Sequence, residues 1–387
     1  MTRPVYLDHN ATTPIDPLVI EAMEPYLREV FGNPSSVEHQ HGHDAGRAVE
    51  DARISVAKAI GARENEIVFT ASATEANNIA IFGAARASSG KRHLVTSVIE
   101  HPAVLEPIRA LEREGFTITY LGVDESGRIS LDELERSITP ETALVSIMAA
   151  NNEVGVIQPY RRIGEICTRK DTLFHSDLAQ LIAYHPVDVE ADNIHLASLS
   201  GHKAYGPKGI GALYVRSRRP RVKLVPMMFG GGQEKGLRPG TLNTASIVGM
   251  GRAFSICTNR AASDAKHVAQ LCAQFWEILT AVVPDARLNG PTDSRLANNL
   301  SISVDGIEPL ALMRRLRTQI SFSSSSACAT DKMQTSHVLL AMFGNTARAR
   351  QAFRIAPGRF STAEEVREMA GILADDIVKL RESTQVA

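Results

Sequence analysis

"TALVSIMAANN" (residues 142–152) runs apolar with almost no polar break and ends on two asparagines. A strand with one wet face alternates apolar and polar residues; a strand covered on both faces does not. "LFHSDLAQ" (173–180) has the same character, an apolar start and a polar end. Working outward, "EIVFTA" (66–71) leads into the helical "TEANNIAIFGAARA". "HLVTSVIEH" (93–101) precedes the helical "AVLEPIRALEREG", and "TITYLGV" follows. Buried strands alternating with amphipathic helices predict an α/β fold whose mainly parallel sheet is covered by helices on both faces.

Beyond about residue 255 the pattern changes. A helical stretch over about 260–283 precedes "NNLSISVDG", a helix in "PLALMRRLRTQ", then "ISFSSSSACAT" and "QAFRIAPG". This predicts a smaller α+β domain, with a large domain over 15–256 and a small one built from 1–14 and 257–387. The chain of 387 residues is long enough for about two domains.

A formal net charge of −1 excludes a global field that recruits nucleic acid or a membrane surface. "RSRRPRVK" (216–223) is the one local basic run, read as a solvated turn. Cys167, Cys257, Cys272 and Cys328 form no CxxC pair, which argues against a zinc ribbon or disulfide framework. No apolar run approaches the roughly 18 residues that span a bilayer. The N-terminus has no signal-peptide character, so a cytoplasmic location with reduced thiols is expected.

In open parallel sheets, ligands bind at the carboxyl ends of the strands. Those ends here carry Ser72, Thr74, His101, Asn152, Asp177, Gln180, His202 and Lys203. "TASAT" running into a helix offers hydroxyls and free N–H groups, either a phosphate cradle or an ordinary helix cap. Asp177, ending an apolar run, needs a cationic or donating partner. "SLSGHKAYGPKGIGALYV" (198–215) sets Lys203 and Lys208 among glycines, as solvated loop lysines or as a working amine. Pyridoxal 5'-phosphate satisfies all three features: phosphate in the cradle, ring nitrogen on the acid, aldehyde on a lysine.

Blocks along nearly the whole chain carry a resemblance: "YLDHNATTPIDP", "FGNPSSVEH", "EIVFTASATEANN", "EHPAVL", "NNEVGVIQP", "SDLAQ", "SGHKAYGPKGIGALYVR", "GGGQEKGLRPGT", "SSSSACAT" and "FRIAPGRF". In this order they resemble the cysteine desulfurases of the NifS/IscS type, fold-type I pyridoxal-phosphate enzymes of aminotransferase class V. The resemblance implies a large domain with a seven-stranded sheet. It makes Lys203 the Schiff-base lysine and Lys208 a structural or surface residue. It implies phosphate contacts from Thr74, Ser200, His202 and the backbone at Ala73, with Thr241 reaching the phosphate from the other subunit of a homodimer. His101 is implied to stack on the cofactor ring and to manage protons on the substrate thiol, Asp177 to hold the ring nitrogen, and Gln180 to donate to its phenolic oxygen. Asn152 and Arg354 are implied to hold the substrate carboxylate, for which a planar guanidinium fork is suited.

Cys328, in a run of small polar residues, is the implied nucleophile that takes sulfur from L-cysteine as a persulfide and passes it to an acceptor protein. Iron–sulfur scaffolds, tRNA thiolation enzymes and DNA phosphorothioation systems are the acceptor classes such enzymes serve. Direct nucleic-acid binding is not expected. A selenocysteine lyase or aminotransferase is the alternative within the fold, and a non-catalytic sulfur-relay scaffold the alternative outside enzymes. Three positions depart from the family pattern: Ser325 replaces a loop glycine, His9 an asparagine, and Pro357 occupies a usually flexible site. "HQHGH" (39–43) lacks an accompanying cysteine or carboxylate cluster, so no metal site is expected there.

Overall fold

The computed structural model describes residues 3–324 and 335–385; Ser325 and Cys328 lie outside the described residues. Its central sheet contains β1 (Ile67–Thr70), β2 (His93–Ser97), β3 (Thr117–Leu121), β4 (Thr142–Ser146), β5 (Leu173–Asp177), β6 (Leu196–Ser200) and β7 (Gly211–Val215). The seven strands lie in the order β1-β7-β6-β5-β4-β2-β3. Only β7 runs antiparallel to its neighbours; every other pair across the sheet is parallel.

The uniform apolar runs have the burial they predict. Every residue of β2, β4 and β6 is buried, whereas the edge strand β3 is mostly half-exposed. Side chains alternate between two cores, so Val68 and Leu144 face one layer while Phe69 and Val145 face the other. Helix α1 (Gln40–Ala59) contributes Val49 and Val56 to the second layer; α2 (Ala73–Ala87) and α3 (Pro102–Arg113) contribute Ile79 and Ile108 to the first.

Helix α4 (Thr244–Val282) is continuous for 39 residues. It starts well before the stretch expected over about 260–283, and the expected boundary at 256/257 falls within it. Its first half places Ile247, Met250 and Phe254 in the core of the large sheet. Its second half places Leu271, Phe275 and Leu279 in a separate core. Each fully buried side chain of this size contributes on the order of 2 kcal/mol. Gly251 lets α4 meet α1 closely, since a Cβ there would lie 2.7 Å from the Cα of Ala52.

The second core backs a four-stranded antiparallel sheet, β8 (Arg287–Asn289), β9 (Leu300–Ser303), β10 (Ser323–Ser324) and β11 (Ala352–Ile355), in the order β10-β11-β9-β8. Helices α5 (His337–Phe343) and α6 (Ala363–Gln385) complete the chain. Val5–Tyr6 pairs with Ile320–Ser321, which ties the N-terminus to this part of the molecule. The segment that follows, residues 8–16, then crosses to the carboxyl ends of β5 and β6.

Candidate active site

The strand ends of β1, β2, β4, β5 and β6 open on one edge of the central sheet. After β1 the chain turns directly into α2. Ser72 caps the helix, its Oγ accepting from Glu75 N at 3.1 Å. That leaves the N–H groups of Ala73 and Thr74 without intrahelical acceptors. Gly211 at the start of β7 passes against this turn; a Cβ there would sit 2.5 Å from the carbonyl carbon of Ser72. The glycine is therefore required by close approach. Ser200, buried at the end of β6, faces the same strand edge.

Beyond Ser200 the "SGHKAYGPKG" turn is clamped by the N-terminal segment. Thr13 N and Oγ1 both donate to the His202 carbonyl, at 3.0 and 2.9 Å, while Thr13 Oγ1 accepts from Tyr205 N at 2.9 Å. Tyr205 holds a left-handed backbone conformation (φ 62°) that a bulky residue adopts only when its surroundings fix it. Its hydroxyl accepts from Arg359 N at 2.6 Å, and the Arg359 guanidinium covers its ring at 4.2 Å. Lys203 stands on this stiff turn, half-buried, whereas Lys208 is exposed. The Lys203 amine donates to the carbonyl of Asn10. Gln180 Nε2 donates to that same oxygen at 3.0 Å.

Asp177 ends β5 with both carboxylate oxygens engaged: Oδ1 accepts from Ala179 N at 2.9 Å and Oδ2 from Asn77 Nδ2 at 2.8 Å. Asn77 is fully buried on α2, and its Oδ1 has no partner among the described residues. Below Asp177 on β5, His175 bridges Ser146 Oγ (2.8 Å) and Ser198 Oγ (3.0 Å).

His101 caps α3, its Nδ1 accepting from Ala103 N at 3.1 Å. Burial lowers its pKa; Asp177 opposes the shift, and the charges of Lys203 and His337 add to it. His202 is pushed down to about 4 by burial and by Lys203 and Lys208. It is therefore neutral at physiological pH. Its Nδ1 lies 3.0 Å from the Thr12 hydroxyl.

Arg354, buried on β11, donates through Nη1 to the Asn152 carbonyl at 2.8 Å and through Nη2 to Asp8 Oδ1 at 2.6 Å. Its Nε is buried with no acceptor among the described residues. The structure thus gathers Ala73, Thr74, His101, Asn152, Asp177, Gln180, Ser200, His202, Lys203 and Arg354 around one strand edge. Thr241 is not joined to them: it is exposed, and no hydrogen bond links it to the strand ends. Of the departures from the family pattern, His9 is buried with Nδ1 at 3.0 Å from the Ala356 carbonyl, against Gly358. In "HQHGH", His39 caps α1 and His41 stacks on Phe31 at 5.7 Å.

Asp8, Asn10, Asn77 and His337 also belong to the edge, although sequence reasoning passed over them. Asn10 Oδ1 accepts from Asn299 Nδ2 at 2.8 Å, and His337 Nε2 lies 3.0 Å from the Glu100 carbonyl. For Asp8, Asn10 and Asn77 the only signal was their place inside the blocks quoted above; His337 lies outside those blocks and had none.

Residues 5–369 match the family described as aminotransferase class-V. The chain is 46% identical over 380 residues to the cysteine desulfurase IscS of Rickettsia bellii, spanning 98% of this chain and 92% of that protein. It is 47% identical over 383 residues to the IscS of Rickettsia conorii, spanning 99% and 93%. Among solved structures, a NifS-like protein superposes with a TM-score of 0.90 at 38% identity, covering 97% of this chain and 100% of the other. DndA from Streptomyces lividans superposes with a TM-score of 0.77 at 34% identity, covering 89% and 97%. SspA, solved in complex with cysteine, gives 0.80 at 38%, covering 93% and 100%.

The chain belongs to the aminotransferase class-V family, fold-type I enzymes that depend on pyridoxal phosphate. Within it, the chain is a cysteine desulfurase, a transferase acting on the sulfur of L-cysteine.

Proposed function

We propose that this desulfurase binds pyridoxal 5'-phosphate at the strand edge and transfers sulfur through Cys328. The observation that carries the reading is the convergence of Lys203 and Gln180 on the Asn10 carbonyl, close to Asp177 and the α2 N-terminus. An amine, a phenol-directed donor, a carboxylate and an anion cradle are the four groups the cofactor needs. Among the described residues, the Oδ1 of buried Asn77 and Nε of buried Arg354 have no partner, which leaves two polar atoms in the same region for ligands.

In this assignment Thr74, Ser200, neutral His202 and the N–H of Ala73 hold the phosphate, and Asp177 holds the ring nitrogen. Gln180 donates to the phenolic oxygen, and His101 covers the ring. When bound, the cofactor supplies an electron sink for cleavage of the substrate Cα–H bond. Lys203 would hold the cofactor's aldehyde carbon and, as a free amine, is the base placed to accept the substrate Cα proton. Arg354 and Asn152 hold the substrate carboxylate. The Cys328 thiolate attacks the substrate sulfur, so an S–S bond forms and the Cβ–S bond breaks. The electron pair passes to the carbon skeleton, which takes up protons and leaves as L-alanine. The persulfide sulfur then goes to an acceptor protein.

Thr241, exposed at the end of the glycine-rich segment, fits a contribution to the partner subunit of a homodimer. No helix among the described residues is long and apolar enough to cross a membrane. A cytoplasmic location, expected from the sequence, is part of the same proposal.

The test is to compare Lys203→Ala with Lys208→Ala. The first is expected to lose the visible absorbance of the bound cofactor and all turnover, the second to keep both. The reverse pattern would refute the assignment.

A further inference from the structure

We propose that Asp8 is a positioning residue for substrate recognition: it fixes the plane of the Arg354 guanidinium so that the uncommitted Nε edge meets the substrate carboxylate. The inference rests on the reading of Arg354 as the carboxylate-binding group.

Arg354 projects from β11, where its backbone pairs with Ser301 on one side and Ser323 on the other. Three observations define its side chain. Nη1 is committed to the Asn152 carbonyl and Nη2 to Asp8 Oδ1. Nε is buried and has no acceptor among the described residues. Asp8 is itself held from several sides. Its Oδ2 accepts from Ser323 Oγ at 2.6 Å, its carbonyl accepts from Tyr6 Oη at 3.0 Å, and it bridges to Ala356, one residue past the strand that carries Arg354.

Two consequences follow from the chemistry. A buried guanidinium without a counter-charge is costly, so Asp8 compensates Arg354 before substrate arrives. A planar fork also recognises a carboxylate only in the right orientation, and two fixed acceptors at Nη1 and Nη2 leave the arginine one orientation. The carboxylate is then met by a preset donor edge, and little side-chain freedom is lost on binding. The Ser323–Asp8 bond places this device one hydrogen bond from the strand leading toward the cysteine segment.

The test uses cofactor-loaded enzyme and two probes, L-alanine and ethylamine, which is alanine without its carboxylate. Binding is read from the change in cofactor absorbance. Asp8→Asn keeps the shape and removes the charge. It is expected to weaken L-alanine about tenfold, as loss of a charge-assisted clamp does, with ethylamine changed less than about twofold. Steady-state kinetics with L-cysteine should then show KM rising more than kcat falls. Ser323→Ala, which removes only the hydroxyl bond to Asp8, is expected to weaken L-alanine by about two- to threefold and leave ethylamine unaffected. Equal weakening of both probes, or no change in L-alanine, would overturn the role of Asp8. Arg354→Gln separates the two levels of the inference. If it keeps the preference for L-alanine over ethylamine, the reading of Arg354 itself fails. If it loses that preference while Asp8→Asn keeps it, only the role of Asp8 fails.

Discussion

Arg53 on α1 and Glu234 in the glycine-rich segment form a buried bidentate ion pair, with Nη2–Oε1 at 2.7 Å and Nη1–Oε2 at 2.9 Å. Glu234 Oε2 also accepts from Phe69 N in β1 at 2.6 Å. Glu234 and Lys235 both hold left-handed backbone conformations (φ 49° and 58°), which cost non-glycine residues on the order of 1 kcal/mol each. The ion pair is what keeps them there. A few residues later Arg238 pairs with Glu75 at 3.0 Å, beside the cradle of α2. The segment bearing Thr241 is thus riveted to the large sheet at two points while Thr241 itself stays exposed.

Glu234→Gln is expected to lose about 3 kcal/mol of stability, because it leaves the Arg53 cation buried beside a neutral amide. Urea unfolding reads this directly. The double variant Arg53→Met with Glu234→Gln should recover part of the loss, since no charge is then stranded and the amide oxygen can still accept from Phe69 N. A double variant no more stable than Glu234→Gln would show that the pair is not the source of the cost.

Thr241→Val is expected to bind cofactor more weakly, by about tenfold or less, through loss of one hydroxyl donor to the phosphate. Because the hydroxyl is proposed to act across subunits, a mixed dimer with one Lys203→Ala chain and one Thr241→Val chain is informative. Its single intact Lys203 lies on the Thr241→Val chain and receives an unmodified threonine from its partner. Wild-type cofactor affinity at that site is expected, and an active monomer in sedimentation would refute the arrangement.

The pH dependence of stability has two opposing parts. His175, fully buried between two serine hydroxyls, has its pKa lowered from 6.5 to about 4 by burial, with Asp177 opposing. The folded state holds the neutral ring, so this contribution is complete above pH 6.5 and is lost as pH falls toward 4. It amounts to on the order of 3 kcal/mol. Glu100, fully buried, is pushed up from 4.5 to about 8 by burial, with Ser97 and Met148 N opposing. Its folded form favours the neutral acid, so stability falls as pH rises from 4.5 through 8. His175→Gln should shrink the difference in urea midpoint between neutral and acid conditions, and Glu100→Gln should shrink the loss between pH 4.5 and about 8. Unchanged profiles in both variants would refute the account.

Much of this was legible in the sequence for a physical reason. The strands of a doubly covered sheet must be apolar on both faces, so β2, β4 and β5 announce themselves, and the residues just past their ends are the site. The start of α4 was not legible. Gly249 and Gly251 weaken its helical pattern, yet Gly251 is demanded by close packing against the backbone of Ala52 and Gly249 sits tight against Met23. Asp8 and Asn10 could not be placed either. Their roles depend on residues 8–13 crossing to the ends of β5 and β6, a tertiary contact that leaves no periodicity. Thr241 is a different case, since its proposed partner is on another chain.

The cysteines offer the most direct test of the sulfur-transfer step. Cys167, Cys257 and Cys272 are all buried, and burial pushes their thiols up to about 12, 11 and 12. The thiolate is the reactive form, so none of the three is a nucleophile at neutral pH. Cys257 is held further by Arg359 Nη2 at 3.4 Å and the Ala204 carbonyl at 3.5 Å, inside the core shared with α4. A brief pulse of iodoacetamide on native enzyme is therefore expected to label Cys328 ahead of the other three. After incubation with L-cysteine, peptide mass spectrometry should find one extra sulfur on the peptide that contains Cys328. Cys328→Ser should retain the absorbance change on adding L-cysteine, because cofactor and substrate binding do not need the thiol. Its sulfur release should fall at least a hundredfold, since an un-ionised hydroxyl is a poor nucleophile toward sulfur. Sulfur carried on Cys167, Cys257 or Cys272, or wild-type turnover by Cys328→Ser, would overturn the assignment.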